Sequence, residues 1–432
     1  MKKISKLLAL FAASAIFAAC SNEETLAPED FGTGKVTVQI KGGTSQAPTR
    51  ATQPGTAEES KIVSLELYIF DSAGALDAKT PYISIATANL TAGHKYQFQV
   101  TAGTGKKVLA IANAALGAQA GKTFTQIEQT LIAATYGSGN SQTVDAINGM
   151  PMSGVAEGWS VENGSVVAVT VPVARLAAKI MAPETPATGV QVDFTSLRQV
   201  DIDEVFGAGS GLTPTDTYTY EYQGYALING LTKSAAYTPD DFSTWVTATY
   251  YTPGAAGAAP TVNLYSWPTF DANGAFAAAP YSGGTSAPWI LTKAGAPQIY
   301  VYENKPATGV DAGGQEGYVS GTVYAFIIAG RVIGSNTTGV ANLASSTRFW
   351  RINVYATGET FGTGATAETI PYVISRNTIY NTTINKVSSK GYPTVEMAVG
   401  EEDDILPPPT SAAANFTISP QDWTVLSETS EM

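Results

Sequence analysis

The stretch Gly34-Lys35-Val36-Thr37-Val38-Gln39-Ile40-Lys41-Gly42 alternates apolar and polar residues without a break, which places Val36, Val38 and Ile40 on one face of a half-buried strand. The same texture recurs along the chain. From Lys61 to Phe70, Val63, Leu65, Leu67 and Ile69 share one face and Ile62, Tyr68 and Phe70 the other, as expected of a strand central to a sandwich. Further strands are expected at 95–100, 107–112, 165–173 and onward to Ile180, 198–206, 298–302, 318–328, 349–355, 370–374 and 379–387. A helix is expected from Phe124 to Tyr136, where Ile127, Leu131 and Ile132 fall at helical spacing. The expected fold is all-β with a minor helix: two β-sandwich domains in tandem and a C-terminal strand. The domain bounds are 51–164 and 165–400.

Both ends of the chain carry separate signals. Lys2, Lys3 and Lys6, the apolar run Leu7–Phe17 and the small residues Ala18-Ala19 precede Cys20, the chain's one cysteine. This pattern reads as a secretory signal peptide over residues 1–19, cut between Ala19 and Cys20, with Cys20 lipidated; Phe17 stands where leucine is usual. Residues 20–50 then form a lipidated propeptide that includes the first strand. Its Gly-, Ser-, Thr- and Pro-rich loop, 42–59, carries a single basic residue, Arg50. At the other end, Glu401-Glu402-Asp403-Asp404 and Pro407-Pro408-Pro409 form an extended spacer before a β-like stretch with Phe416, Ile418, Trp423, Val425 and Leu426. Such an apolar terminal strand needs a partner sheet, in its own domain or in a neighbouring subunit. Either Trp423, Val425 and Ser427 face inward, or Thr424 and Leu426 do.

Composition narrows the function. A net charge of −12 with 14% charged residues lacks the clustered Lys and Arg of a nucleic-acid binder. With Cys20 taken by lipid, the folded part has no thiol for disulfides, metals or nucleophilic chemistry. The one histidine, His94, lies in a polar turn and would have to carry any Ser-His-Asp arrangement by itself. Asp201 and Asp203, read as one face of a strand with Glu204 beside them, offer a calcium site or, more simply, solvated edge charges. No enzyme activity, cofactor or metal is expected. Residues 212–297, rich in Tyr, Pro, Gly and Ala, read as an elaborated surface loop region. Its Trp245, Trp267 and Trp289 leave open a surface lipoprotein that stacks sugar rings.

Several separated pieces resemble the fimbrillins of Bacteroidales type V pili, in particular the major subunit of the short fimbrium. They are Ala18-Ala19-Cys20; the strand and single-arginine loop after it; Val173-Ala174-Arg175-Leu176-Ala177-Ala178-Lys179, similar to that family's inter-domain strand; Arg376-Asn377-Thr378-Ile379-Tyr380 followed by Ile384, Lys386 and Gly391; and Trp423-Thr424-Val425. Residues 185–300 match nothing in it. The resemblance implies transthyretin-like Greek-key sandwiches and an assembly route. An outer-membrane lipoprotein, attached transiently by its lipid, is cut by an arginine-specific protease between Arg50 and Ala51. The strand Val36–Ile40 is released, and a neighbour's terminal donor strand fills the groove. It also implies as partners copies of the chain, fimbrial anchor and tip subunits, and host or microbial surface receptors. An anchor or tip role is the alternative within the family.

Overall fold

The computed structural model describes residues 32–42, 52–54, 57–90, 92–132, 149–181, 185–228, 234–237, 290–292, 298–303, 308–310, 314, 316–319, 323–354, 360–361, 368–369, 372–394, 397–398, 405–406 and 416–424. In the first part, β1 (Thr33–Gly42), β5 (Lys95–Thr101) and β8 (Val166–Arg175) form one layer. The facing layer holds β3 (Leu65–Phe70), β4 (Tyr82–Ile85), β6 (Gly103–Ala112) and β7 (Met152–Val161). The layers join at a corner where Ser153 and Met152 pair with Ala174 and Arg175. The join requires close backbone approach: a Cβ on Gly154 would lie 1.7 Å from the Pro172 carbonyl oxygen. Between the layers sits an aliphatic core with Val36, Val38, Ile40, Leu65, Leu67, Ile69, Val108 and Val171.

The second face of the β3–β6–β7 layer is buried too, which explains why β3 is covered along its whole length. Tyr68, Phe70, Leu109 and Ile111 pack there against Phe124 and Ile127 of the short helix α2 (Phe124–Glu128) and against Tyr300, Tyr302 and Ile379. A second pair of layers follows. One is ordered β12–β9–β16–β17–β2, from β2 (Thr52–Pro54), β9 (Ala177–Met181), β12 (Gln298–Tyr302), β16 (Thr378–Ile384) and β17 (Phe416–Thr424). The other is built on β10 (Thr217–Ile228) and β13 (Ala325–Ser335), with β11 (Ile290–Thr292), β14 (Leu343–Ala344) and β15 (Arg348–Asn353) beside them. Tyr222, Tyr225, Tyr324, Phe326 and Tyr380 fill the space between.

Several expectations are corrected. The strand expected at 198–206 is the helix α3 (Gln199–Phe206). The Asp201 carboxylate caps its start by accepting from the Arg198 backbone N–H and Nε, each at 3.1 Å, and Ile202 and Val205 bury its inner face. Helix α2 ends at Glu128, after which Leu131–Ile132 pairs as strand with Ser234–Ala235. The stretch expected as one strand over 318–328 is divided between Glu316–Val319 and β13. Residues 372–374, expected in a strand, lie in a turn region where Tyr372 has φ 63°. Within the expected loop region, β10 pairs with β13 from Thr217 to Ile228 and places Tyr218, Tyr222 and Tyr225 in cores. Residues 165–175, expected in the second domain, lie with the first sandwich, since β8 runs parallel to β1 from Val166 to Val173 and its last two residues pair with Ser153 and Met152. Residues 52–54, expected in the first, lie in the second.

Candidate assembly site

The strand β1 is threaded between two others. It runs antiparallel to β5, with Val36 opposite Phe98 and Val38 opposite Tyr96, and parallel to β8, with Val36, Val38 and Ile40 opposite Val167, Val169 and Val171. Val36 and Val38 are fully buried and Ile40 nearly so. Burying these three side chains contributes about 5–9 kcal/mol at roughly 1.5–3 kcal/mol each, before ordering costs. Among the described residues β5 is an edge strand whose ladder is to β1. Removing β1 therefore strands β5, bares the β8 edge and opens an apolar slot, and such an edge demands a replacement.

One further contact holds the end of β5. Lys106 Nζ lies 2.7 Å from Asp77 Oδ2, and both side chains are almost wholly buried. Asp77 also accepts from the backbone N–H of Lys79, Thr80 and Thr101 and from the Thr101 hydroxyl. Burial alone raises the Asp77 carboxyl, but the Lys106 and Thr101 hydrogen bonds outweigh it and hold the group below its ordinary value. The carboxylate thus pins the C-terminal residue of β5 independently of β1.

The short helix α1 (Ala57–Ser60), at the end of the stretch 42–59 expected as a loop, is fixed by a buried charge network. Glu59 Oε1 accepts from Lys179 Nζ at 2.8 Å and from the Tyr300 hydroxyl at 2.6 Å. Arg175 donates from Nε to the Glu59 carbonyl at 2.9 Å, from one terminal nitrogen to Ser60 Oγ at 3.0 Å, and from the other to Asn377 Oδ1 at 3.2 Å. Burial lowers the Arg175 guanidinium to about 10, against the opposing pull of Glu59 and Tyr300, so it stays charged at neutral pH. The 173–179 and 376–380 motifs thus meet in space, and the Asn377 N–H also donates to the Ala177 carbonyl at 2.8 Å. Within the second motif, Tyr380 lies in the core with its hydroxyl accepting from the Ser375 N–H, and Arg376 lies 3.4 Å from Glu303. Gly391, at φ 62°, lies under the Trp350 ring, where a Cβ would come within 2.5 Å.

Glu59 and the partners of Arg175 escaped sequence reasoning. Arg175 itself had a signal: it continues the buried phase of Val169, Val171 and Val173, where a charge needs a partner.

The remaining candidates separate. Ala19, Cys20, Arg50, Ala51, Val425 and Leu426 lie outside the described residues, as do Trp245, Trp267 and Trp289. Phe416, Ile418 and Trp423 fall on β17, which pairs antiparallel with β16 of its own chain, Ile384 opposite Phe416 and Thr378 opposite Asp422. His94 ends a turn at φ 45°. Asp201, Asp203 and Glu204 sit on α3 rather than a strand. Asp201 pairs with Arg198 and Lys390, and Glu204 with Lys390 at 2.5 Å and Arg348 at 3.1 Å. The Arg198 hydrogen bonds lower Asp201 to about 2, the mark of a compensated carboxylate. Among the described residues no group of three or more His, Cys, Asp or Glu is placed to hold a metal ion, and no helix is long and apolar enough to cross a membrane.

The class so defined is an all-β protein of stacked sandwiches with an N-terminal strand threaded into its first sheet. Residues 33–175, from the start of β1 to the end of β8, match the model of the family described as major fimbrial subunit protein (FimA). That match covers about a third of the chain and supports placing it among the Bacteroidales fimbrillins. No curated protein matches it. Among solved structures, a candidate cell adhesion protein from Parabacteroides distasonis shares the fold at 14% identity and a TM-score of 0.50, over 90% of this chain and 100% of that one. A fimbrilin (FimA) from Porphyromonas gingivalis aligns at 16% identity over 91% of this chain and 99% of that one, with a TM-score of 0.47. The tip fimbrial protein Mfa3 of the same organism aligns at 13% over 90% and 100%, with a TM-score of 0.41.

Proposed function

We propose that this chain is a fimbrillin shaft subunit that assembles with copies of itself and with other fimbrial subunits, exported to the outer membrane as a lipoprotein acylated on Cys20 and cut by an arginine-specific protease between Arg50 and Ala51. The cut lets β1 leave with its lipid, and a neighbour's terminal strand, from the region of Phe416, Ile418, Trp423, Val425 and Leu426, takes its place. The role is structural, without catalysis; adhesion to host or microbial receptors belongs to the assembled polymer. The observation that carries the reading is the position of β1, which provides the ladder between β5 and β8 and supplies Val36, Val38 and Ile40 to the core. A strand so placed can be exchanged as a unit, since a donor with alternate apolar residues restores both ladders and the core together.

The test is N-terminal sequencing and mass spectrometry of protein sheared from cells, with and without Arg50→Ala. Polymer beginning at Ala51, absent from the variant, is the expected result. An intact acylated Cys20 on a monomer would overturn the shaft reading in favour of an anchor or a glycan-capturing lipoprotein. Alanine at Trp423 and at Leu426 then fixes the donor register, because only the inward residue should abolish polymer.

A further inference from the structure

The terminal strand has two homes in this scheme, its own sheet and a neighbour's slot, and something must decide between them. In its own sheet β17 is not an edge strand. One side is laddered to β16 over seven residue pairs, Thr378↔Asp422 to Ile384↔Phe416. The other is covered at its far end by β2, parallel and in register, with Thr52, Gln53 and Pro54 opposite Asp422, Trp423 and Thr424. The strand β2 begins two residues after Arg50 in sequence. The expected cut thus falls next to the segment that covers the terminal strand.

The two sides of β2 are tied down unequally. On its C-terminal side only residues 55–56 separate it from α1, which the buried network of Glu59, Lys179, Tyr300 and Arg175 fixes against β9 and β12. On its N-terminal side residues 43–51 link it to β1, which is locked in the first sandwich. A three-residue strand has little ladder of its own. Held at both ends by fixed elements, it stays at high local concentration over β17. Cut at Arg50, it becomes a free chain end, the place where fraying concentrates.

We propose that β2 is a clasp on the terminal strand whose grip depends on an uncut chain at Arg50. One proteolytic event then does two things: it lets β1 leave the acceptor slot, and it uncovers the outer edge of the donor strand. The uncut precursor is thereby kept from offering its donor before its own slot can open. The buried network sets the limit of the change, since α1 stays docked and only β2 lifts. This inference rests on the strand-exchange reading above.

Hydrogen exchange of the full chain carrying Cys20→Ser, before and after treatment with an arginine-specific protease, tests the clasp in the monomer. The amides of Asp422, Trp423 and Thr424 should exchange about tenfold faster or more after the cut, while those of α1 stay protected. Unchanged exchange at those three positions in fully cut protein would overturn the proposal. A second arm adds Gln53→Cys and Trp423→Cys, which stand opposite each other in register, to close a disulfide across the clasp. The cut, oxidised protein should keep slow exchange and stay monomeric, and reduction should restore both fast exchange and assembly. Equal assembly by the oxidised and reduced forms would overturn it as well. A chain ending at Asn415 separates the two readings: if it still polymerises after cutting, the terminal strand is not the donor, whereas the exchange result in the monomer judges the clasp alone.

Discussion

The two sandwiches are filled with different chemistry. The first has a core of Val, Ile, Leu, Ala and Met, with its aromatic residues Tyr96, Phe98 and Trp159 only partly buried at the margin. The second is built on Tyr222, Tyr225, Tyr324, Phe326 and Tyr380, and its rings are oriented. Tyr225 meets Phe326 edge-on at 5.5 Å, the Tyr324 hydroxyl donates to the Tyr302 carbonyl at 2.8 Å, and Gly330 makes room for the Tyr220 ring. Aliphatic contact is non-directional, so a strand of roughly the right pattern can replace another. Edge-on rings and hydroxyl bonds specify one arrangement. The strand that the proposed route exchanges lies in the aliphatic sandwich; the aromatic one has the character of a fixed frame.

The largest expected effect comes from breaking the frame. Phe326→Ala should cost about 3–5 kcal/mol, read as a lower urea midpoint, and by the same amount in uncut and Arg50-cut protein. A loss confined to one form would mean that the second sandwich takes part in the exchange. Next comes the pin on β5. Asp77→Ala leaves the buried Lys106 without its carboxylate partner, at about 3 kcal/mol or more. The wild-type pair also gives a pH signature. Because the folded carboxyl lies below its ordinary value of 3.8, its contribution is complete above that value and drains away as pH falls through the lower folded one. Urea midpoints between pH 5 and pH 2 should fall in the wild type and fall less steeply in Asp77→Asn/Lys106→Met, where Asp201 and Glu204 still titrate.

Val38→Ala sharpens the contrast most directly. It should destabilise the uncut chain by about 2 kcal/mol, from lost burial and the cavity left behind. In polymer from which β1 has gone it should do nothing. An equal loss in both would show that β1 stays in the mature subunit.

How far the sequence foretold this division depends on the element. The alternation of β1 and the two-faced apolar pattern of β3 were legible because aliphatic residues at period two have few other uses. The strand β10 was not, although Tyr218, Tyr220 and Tyr222 also alternate. Tyrosines among Thr, Gly and Pro read as surface until a facing sheet is known to cover them. Residues 198–206 were read as a strand with Asp201 and Asp203 on one face, where the Arg198–Asp201 cap and the burial of Ile202 and Val205 make α3. The 173–179 and 376–380 motifs were visible separately, but their meeting through Arg175 and Asn377 is a contact across 202 residues that no local pattern encodes. Glu59, in a short polar helix, gave no sign at all of sitting in the buried junction.

The smallest prediction concerns the boundary between the two cores. Glu128, on α2, is buried beside the face that the first sandwich turns toward the second. Burial pushes its carboxyl up to about 7, with Lys107 pulling it down and Glu157 adding to the rise. Below pH 4.5 the group is neutral in both folded and unfolded chains and costs nothing. Between 4.5 and about 7 the folded chain keeps a proton that the unfolded chain has lost, so stability falls as pH rises, and above that range the full penalty stands. Glu128→Gln removes the titration. Its stability should match the wild type at pH 4 and exceed it at pH 8 by on the order of 1 kcal/mol, allowing for relaxation and solvent screening around the carboxylate. Parallel stability curves for the two proteins across that range would show that Glu128 ionises without cost, and that the junction between the cores is wetter than its packing indicates.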